Sequence, residues 1–317
     1  MTALALDAPA KINLYLAVLD RREDGYHEVE TILQSLTLCD TLIAETAGEG
    51  IELVVDASEI ATGLPVAVGE DNLVCRAARG FFAAARQVAE GAAGVRFHLT
   101  KRIPAGGGLG GGSSDAAAAL RLLNALHGGP LDDRTLHAVA CELGSDVPFF
   151  LRGGTQLGWG TGTDLLPLAG GPHLHFVLIM PRTGTSTGAI YKNHGAQLTP
   201  RHPPRSIRGG KIPDIKEIAV ATGFPNDLEA SALQLHPELA EFRDRVAADG
   251  YPEVRMSGSG STFFVALGGE AECAAAIERL APLRDQAVTL LHTETSHAPP
   301  GDPRVASIPP SDSPGAN

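Results

Sequence analysis

One short stretch limits what this chain can become more than any other. The segment KRIPAGGGLGGGSSD, Lys101 to Asp115, holds six glycines in the seven positions 106 to 112, broken only by Leu109. Backbone without side chains reaches φ > 0 and lets its N–H groups approach a bulky anion closely. Upstream, Val95, Phe97 and Leu99 alternate with Arg96, His98 and Thr100, which predicts a strand feeding the loop. Downstream, Ala116 to Leu120 begins a helix that Ser113, Ser114 or Asp115 is placed to cap. A helix N-terminus behind a glycine loop attracts negative charge through its unpaired N–H groups and its dipole. Strand, glycine loop and helix together read as a phosphate cradle. A flexible linker would lack firm elements on both sides.

Two familiar phosphate loops do not fit. No Gly-Lys-Ser/Thr ends the run, and the Gly210-Lys211 pair is followed by Ile212. The glycines are too dense for a dinucleotide fingerprint, and no acidic strand end follows. Composition narrows the partners. With 317 residues and 44% hydrophobic side chains, the chain can bury one large or two medium cores. A net charge of −12 argues against a nucleic-acid surface. Phosphates must then be held locally, by backbone N–H groups and a few placed cations. Cys39, Cys75, Cys141 and Cys273 lie far apart with no C-x-x-C pair, which signals neither zinc nor a disulfide framework. A reducing cytoplasm is the expected compartment. No leader and no apolar run of membrane-spanning length is present, so no membrane partner is expected.

Along the chain, Ile12, Leu14, Leu16 and Val18 alternate with Asn13, Tyr15 and Ala17 as in a half-buried strand. Lys11 stands at its start; by local pattern alone it is an edge charge. Asp24-Gly25 makes a turn before Tyr26 and His27. Strands are expected over 29–36, 41–45 and 51–55, and a helix from Leu73 after Asp71-Asn72, which is placed to cap it. After the glycine loop a helix should run to about Leu126, and another from about Asp132 to Leu143. Asp146 then sits in a Gly- and Pro-bounded turn, where the bland reading is a turn-stabilising aspartate. Gly158, Gly160 and Gly162 around Trp159 suggest a hairpin or a crossing between halves.

From His175 the pattern is strand (175–180), helical region, strands (254–257 and 262–267), helix (270–280) and strand (287–292). That β-α-β-β-α-β order is the split ferredoxin-like motif. A second glycine turn, Met256 to Ser261, joins two of its strands. The segment 199–215 is expected to be a mobile loop, and 298–317 a disordered tail. His173 and His175 would share a strand face, but no carboxylate lies near them in the pattern, and no metal ligand is assigned.

Three segments together resemble the GHMP kinases, the superfamily of galactokinase, homoserine kinase and mevalonate kinase. They are PAKINL (9–14) with DGYHE (24–28), then PAGGGLGGGSSDA (104–116), then SGSG (257–260). DGYH and LGSDVPF (143–149) narrow the likeness to the branch whose substrate is a small cytidine diphosphate compound. The resemblance covers about Ala8 to His292. It implies an α+β, two-domain GHMP kinase fold with the active site in the cleft between domains. Those domains would be an N-terminal ATP-binding domain (1–158) with a left-handed βαβ unit and a C-terminal ferredoxin-like domain (159–297).

The resemblance also reverses two bland readings, implying that Lys11 and Asp146 are the catalytic lysine and aspartate. It implies ATP with Mg²⁺ as cofactor, held by Asn72, Lys101, Pro104, Gly106, Gly107, Gly108, Gly110, Gly111, Gly112, Ser113 and Ser114. Asn13, Tyr26, His27, Thr187 and Tyr191 would hold the substrate, with Tyr26 and Tyr191 as two walls around a cytosine ring. A monomer or weak homodimer is expected. The main rival is a nucleotide sensor without catalysis, against which the presence of both Lys11 and Asp146 speaks.

Overall fold

The computed structural model describes residues 3–60, 69–86, 94–168, 173–197, 223–286, 288–297 and 300–307. The segment 199–215 lies outside them, as does much of the tail. Two long strands, β1 (Ala3–Arg21) and β2 (His27–Thr46), form an antiparallel spine. β3 (Ile51–Asp56) and β4 (Val95–Thr100) pair in parallel, with α1 (Leu73–Ala85) in the crossover between them. The second half of β2 pairs with β4, and its first half with β5 (Thr155–Gly160), so the sheet forks along one strand. β5 turns back into β6 (Asp164–Pro167), the hairpin expected around Trp159.

The two strands expected over 29–36 and 41–45 are thus one. The sequence break between them appears as a register slip: β1 advances from Pro9 to Lys11 while its partner moves from Cys39 to Ser35. Such bulges bend a strand and re-aim its side chains. The first sheet also extends past the division expected at 158/159, which falls inside β5. The hairpin stays with that sheet because β5 is hydrogen-bonded to β2.

A second, antiparallel sheet is built from β7 (His175–Met180), β8 (Arg255–Met256), β9 (Phe263–Leu267) and β10 (Thr289–Glu294), in the order β10-β7-β9-β8. With strands numbered in sequence that order is 4-1-3-2, the arrangement of the split motif. Helices α5 (Thr187–Gln197), α6 (Asp227–Leu235), α7 (Pro237–Ala248) and α8 (Glu270–Leu280) belong to this half.

β7 shows why the halves hold together. It is apolar on both faces, as a strand buried on both sides must be. Val177 and Ile179 pack into the core under the C-terminal helices, with Phe242 and Leu280. Phe176, Leu178 and Met180 pack the other way, against Ile12, Leu14 and Ile32 of the first sheet. Each fully buried phenylalanine at this junction, such as Phe176 or Phe264, contributes roughly 1.5–3 kcal/mol by leaving water. A third core lies beneath α1, α2 (Gly111–Leu126), α3 (Asp133–Leu143) and α4 (Val147–Arg152), around Phe81, Phe97, Leu120 and Phe149. α2 is its centre: Ala116 to Leu120 are all buried, so small side chains let neighbouring helices approach.

The tail differs from expectation. Past residue 299 the chain returns to the first sheet, where β11 (Arg304–Val305) pairs with β1 at Leu4 and Ala5. Its low hydrophobicity is offset by polar fastening: Arg121 of α2 donates to the carbonyls of Pro300 and Gly301 at 3.0 Å each, and Arg304 pairs with Asp7 at 2.9 Å. In Arg121→Ala, losing charge-assisted bonds worth about 1.5–3 kcal/mol each should release this segment alone. Hydrogen exchange of residues 304–306 is expected to become fast while β1 and β2 stay protected. Unchanged protection at 304–306 would show that Arg121 does not hold the tail.

Candidate active site

The glycine loop folds as a cradle, but not with the expected cap. α2 starts at Gly111, and its cap position is Gly110, at φ 72° and ψ 16°, with no side-chain hydrogen bond. Only glycine enters that left-handed region without strain. With no serine or aspartate side chain on them, the first N–H groups of α2 stay available to a ligand, and the dipole places roughly half a positive charge there. Ser113 lines the adjoining cavity, whereas Ser114 turns inward and is buried. The Ser114 hydroxyl has no hydrogen-bond partner among the described residues.

That cavity, of about 330 Å³, is lined by Asn72, Leu73, Lys101, Ile103 and the loop from Pro104 to Ser113. Nearly every residue expected on the nucleotide side therefore surrounds one space. Asn72 Oδ1 is engaged as the cap of α1, accepting from Val74 N at 2.8 Å. Lys101 has a job the sequence did not reveal. Its ammonium is buried, bonded to Asp115 Oδ2 at 2.7 Å and to Asp40, beneath the first turn of α2. Burial, with the Asp40 carboxylate beside it, pushes the Asp115 carboxyl up to about 8 against the pull of Lys101. Paired with one lysine, and with Asp115 raised in this way, the two carboxyls add less negative charge next to the cavity than two free carboxylates would. Asp40 also accepts from the backbone N–H of Ile103 at 2.8 Å, which fixes the start of the loop.

On the other side of Gly110 stand Lys11, Asn13 and Asp146. Lys11 and Asn13 are two apart on β1, hence on one face. Lys11 Nζ donates to Asn13 Oδ1 at 2.8 Å and lies 3.6 Å from Asp146 Oδ2. The amide of Asn13 is oriented by Thr31, whose Oγ1 accepts from Nδ2 at 2.8 Å and donates to Tyr15 O at 2.6 Å. The Lys11 side chain is almost wholly buried and that of Asp146 is 40% exposed, so the aspartate is the partner a ligand can reach. Asp146 immediately precedes α4, whose Phe150 packs against Gly110: a Cβ added there would lie 2.8 Å from Phe150 Cζ and 3.1 Å from Lys11 Cγ. Lys11 N in turn donates to Leu109 O at 2.9 Å.

The second glycine turn closes on the first. Thr262 N donates to Gly107 O at 3.2 Å, and a Cβ on Gly108 would lie 2.8 Å from the carbonyl oxygens of both Ser257 and Gly260. Asn226, at the start of α6, holds this turn through Met256 O at 2.9 Å and Gly258 O at 2.7 Å. Thr187 is exposed at the start of α5, its hydroxyl 2.8 Å from that of Ser259. The functions of Asp40, Asp115, Thr31, Phe150 and Asn226 left no mark in the sequence; each acts through a partner distant along the chain.

The expected pair of tyrosine walls is not what the structure shows. Tyr191 stacks on His27, with ring centroids 5.6 Å apart and planes at 27°. Tyr26 is 66% exposed and makes no ring contact among the described residues. A base sandwiched between two rings needs about 7 Å, two van der Waals spacings, so none fits between His27 and Tyr191. Tyr191 is drawn inward because its ring packs against the C-terminal core. Burial, and then the Asp146 carboxylate nearby, push its hydroxyl up from the ordinary tyrosine value. His27 is buried, and its Nε2 is unpartnered among the described residues. Burial first, then His194 and Arg21, hold its imidazole below the ordinary range, so it is uncharged at neutral pH.

Comparison with known proteins identifies the family. The family model described as the GHMP kinases N terminal domain matches residues 72–154. The 4-diphosphocytidyl-2-C-methyl-D-erythritol kinase of Moorella thermoacetica is 42% identical over 276 residues, 85% of this chain and 92% of that protein. The protein of the same name from Halorhodospira halophila is 41% identical over 277 residues, 86% and 88% of the two chains. A solved 4-(cytidine 5'-diphospho)-2C-methyl-D-erythritol kinase superposes with a TM-score of 0.72 at 37% identity, covering 92% of this chain and 99% of that one. Homoserine kinase from Cytophaga hutchinsonii shares the fold, with a TM-score of 0.68 at 16% identity.

The cradle can be tested at a glycine the fold does not need. A Cβ on Gly112 would make only an ordinary contact, 3.6 Å from Leu73 Cδ1, but would project into the cavity that both residues line. Gly112→Ala should therefore keep its stability and bind ATP roughly 10-fold more weakly, about 1.4 kcal/mol, by calorimetry. Undiminished affinity would remove the first turn of α2 from the phosphate site.

Proposed function

The chain belongs to the 4-diphosphocytidyl-2-C-methyl-D-erythritol kinases of the GHMP kinase superfamily, and from that membership we propose how its residues carry the reaction. It transfers the γ-phosphoryl group of ATP to the 2-hydroxyl of 4-diphosphocytidyl-2-C-methyl-D-erythritol, giving the 2-phosphate and ADP, within non-mevalonate isoprenoid precursor synthesis. We place it in the cytoplasm; among the described residues no helix is long and apolar enough to cross a membrane. The observation that supports the assignment of roles is the position of Asp146, 3.6 Å from Lys11 Nζ and beside the uncapped start of α2.

Phosphoryl transfer leaves a protein little covalent work; positioning and charge stabilisation carry it. The N–H groups of the loop and of the first turn of α2 hold the phosphates, and bare glycines at 107, 108 and 110 let Thr262, the second glycine turn and Phe150 pack closely against the loop that carries them. Asp146 accepts the proton of the substrate hydroxyl as that oxygen attacks. Lys11, fixed by Asn13, orients the carboxylate and the attacking oxygen. The cradle fits ATP on its own geometry. For Mg²⁺ the Ser113 hydroxyl, which lines the loop cavity, is a hard oxygen donor of the kind Mg²⁺ takes alongside phosphates. Bound there, the ion supplies counter-charge to the phosphate oxygens.

In Asp146→Asn the proton acceptor is lost with size preserved. Turnover should fall by about 10²-fold or more while ATP affinity stays near the parental value. Near-parental turnover in that variant would rule Asp146 out as the base.

Base choice rests on the aromatic arm. The Tyr191–His27 stack forms one wall, and Tyr26, exposed beside it, is placed to cover the other face of a cytosine. Stacking alone accepts any base, at roughly 1–3 kcal/mol each. Discrimination then needs edge hydrogen bonds, for which the backbone groups of His27 are the candidates. CMP should compete against the substrate better than UMP or AMP, and Tyr26→Ala should weaken CMP by about 10-fold or more. Equal inhibition by all three nucleotides, indifferent to Tyr26, would move the base elsewhere.

A further inference from the structure

At the far end of the second sheet, three histidines and a glutamate converge outside the site described above. β7 and β10 pair so that His175 faces Glu294, and His292 stands two residues before Glu294 on the same face. His173 lies two residues before His175. The carboxylate that the local sequence lacked around these histidines is thus brought from the other end of the domain. His175 Nδ1 is 3.3 Å from Glu294 Oε1 and 3.3 Å from His292 Nε2, and His292 Nε2 is 3.9 Å from the same carboxylate oxygen. His173 Nε2 approaches the second oxygen, Oε2, at 3.1 Å. The ligand atoms of His173, His175 and Glu294 all lie within 4.8 Å of one another.

These separations are those of a coordination shell. A tetrahedral ion with bonds of 2.0–2.1 Å has donors about 3.3 Å apart. The triangle of His175, His292 and Glu294 has its centre about 2 Å from each donor, the length of a zinc–nitrogen bond. Imidazole nitrogens with one carboxylate select zinc and its neighbours over Mg²⁺ or Ca²⁺. Side-chain exposures of 17% for His175, 25% for His292, 31% for Glu294 and 56% for His173 leave a way in from solvent.

We propose that His173, His175, His292 and Glu294 form a structural site for a divalent transition metal of the zinc type. It is separate from the catalytic cleft: Met180, at the opposite end of β7, lines a crevice with Gly106 and Gly107, and five residue steps of strand span about 17 Å. Its place suggests its work. Directly beyond Glu294 the chain crosses to the first sheet, where Ser296 N donates to Ser35 O at 2.8 Å and Thr37 Oγ1 accepts from Glu294 N at 3.1 Å. An ion here would tie the start of β7 to the end of β10 where the sheets join.

The test uses the full chain, stripped with a chelator and dialysed. Zinc titration by calorimetry should show one ion per chain at micromolar or tighter Kd, with a raised Tm, and cobalt should give the visible absorption of a tetrahedral complex. Glu294→Gln and His173→Ala should each bind at least 10-fold more weakly; the exposed His173 side chain keeps that variant clear of folding defects. Phosphotransfer by His173→Ala should match the parent chain. Absence of one-ion saturable binding, or undiminished affinity in both variants, overturns the assignment.

Discussion

The contact on which the rest depends is that of a missing side chain. At Gly110 the backbone turns left-handed to begin α2, and the space a Cβ would take is filled by Phe150 from α4 and by the Lys11 stem from β1. Three elements far apart in sequence meet within van der Waals distance there. That closeness brings the β1 lysine and the aspartate ahead of α4 to the same end of α2, where the phosphate-binding N–H groups are. A side chain at this position would both strain the turn and push those partners away.

Charge is managed locally throughout. In a chain of net charge −12, the cavity beside the glycine loop is faced by the uncapped N–H groups of α2 and by few cations. Lys101, just ahead of the loop, is already matched by Asp40 and Asp115, and burial raises the Asp115 carboxyl. The cluster therefore works as a support, anchoring the start of the loop beneath α2, with little net field of its own. Lys11 is different, because its aspartate partner remains open to solvent. One lysine is built into the frame; the other is left in play.

The two halves are joined by apolar packing along β7 and by polar fastening near β10. The second glycine turn, held by Asn226, rests on the first, so the cleft is formed by two loops that interlock through backbone contacts. Movement of the second sheet would therefore be felt in the phosphate cradle.

Much of this was legible in the amino-acid order. Alternation announced β1 and β4; helical spacing and caps announced α1 and α3; the glycine run announced a loop of bare backbone before a helix. These signals are local, set by the 2- and 3.6-residue periods and by backbone sterics. Tertiary structure alone decided the rest. It made one strand of the two expected over 29–45, because a bulge lets pairing continue where the pattern breaks. It left α2 uncapped with serines to spare, because its start packs against Lys11 and Phe150. It gave Lys101 two carboxylates, set Tyr191 on His27 in place of Tyr26, and brought Glu294 to the histidines of β7. Each of these joins residues far apart in the chain, and a pairing across such a distance is fixed by which surfaces pack, which no local pattern records.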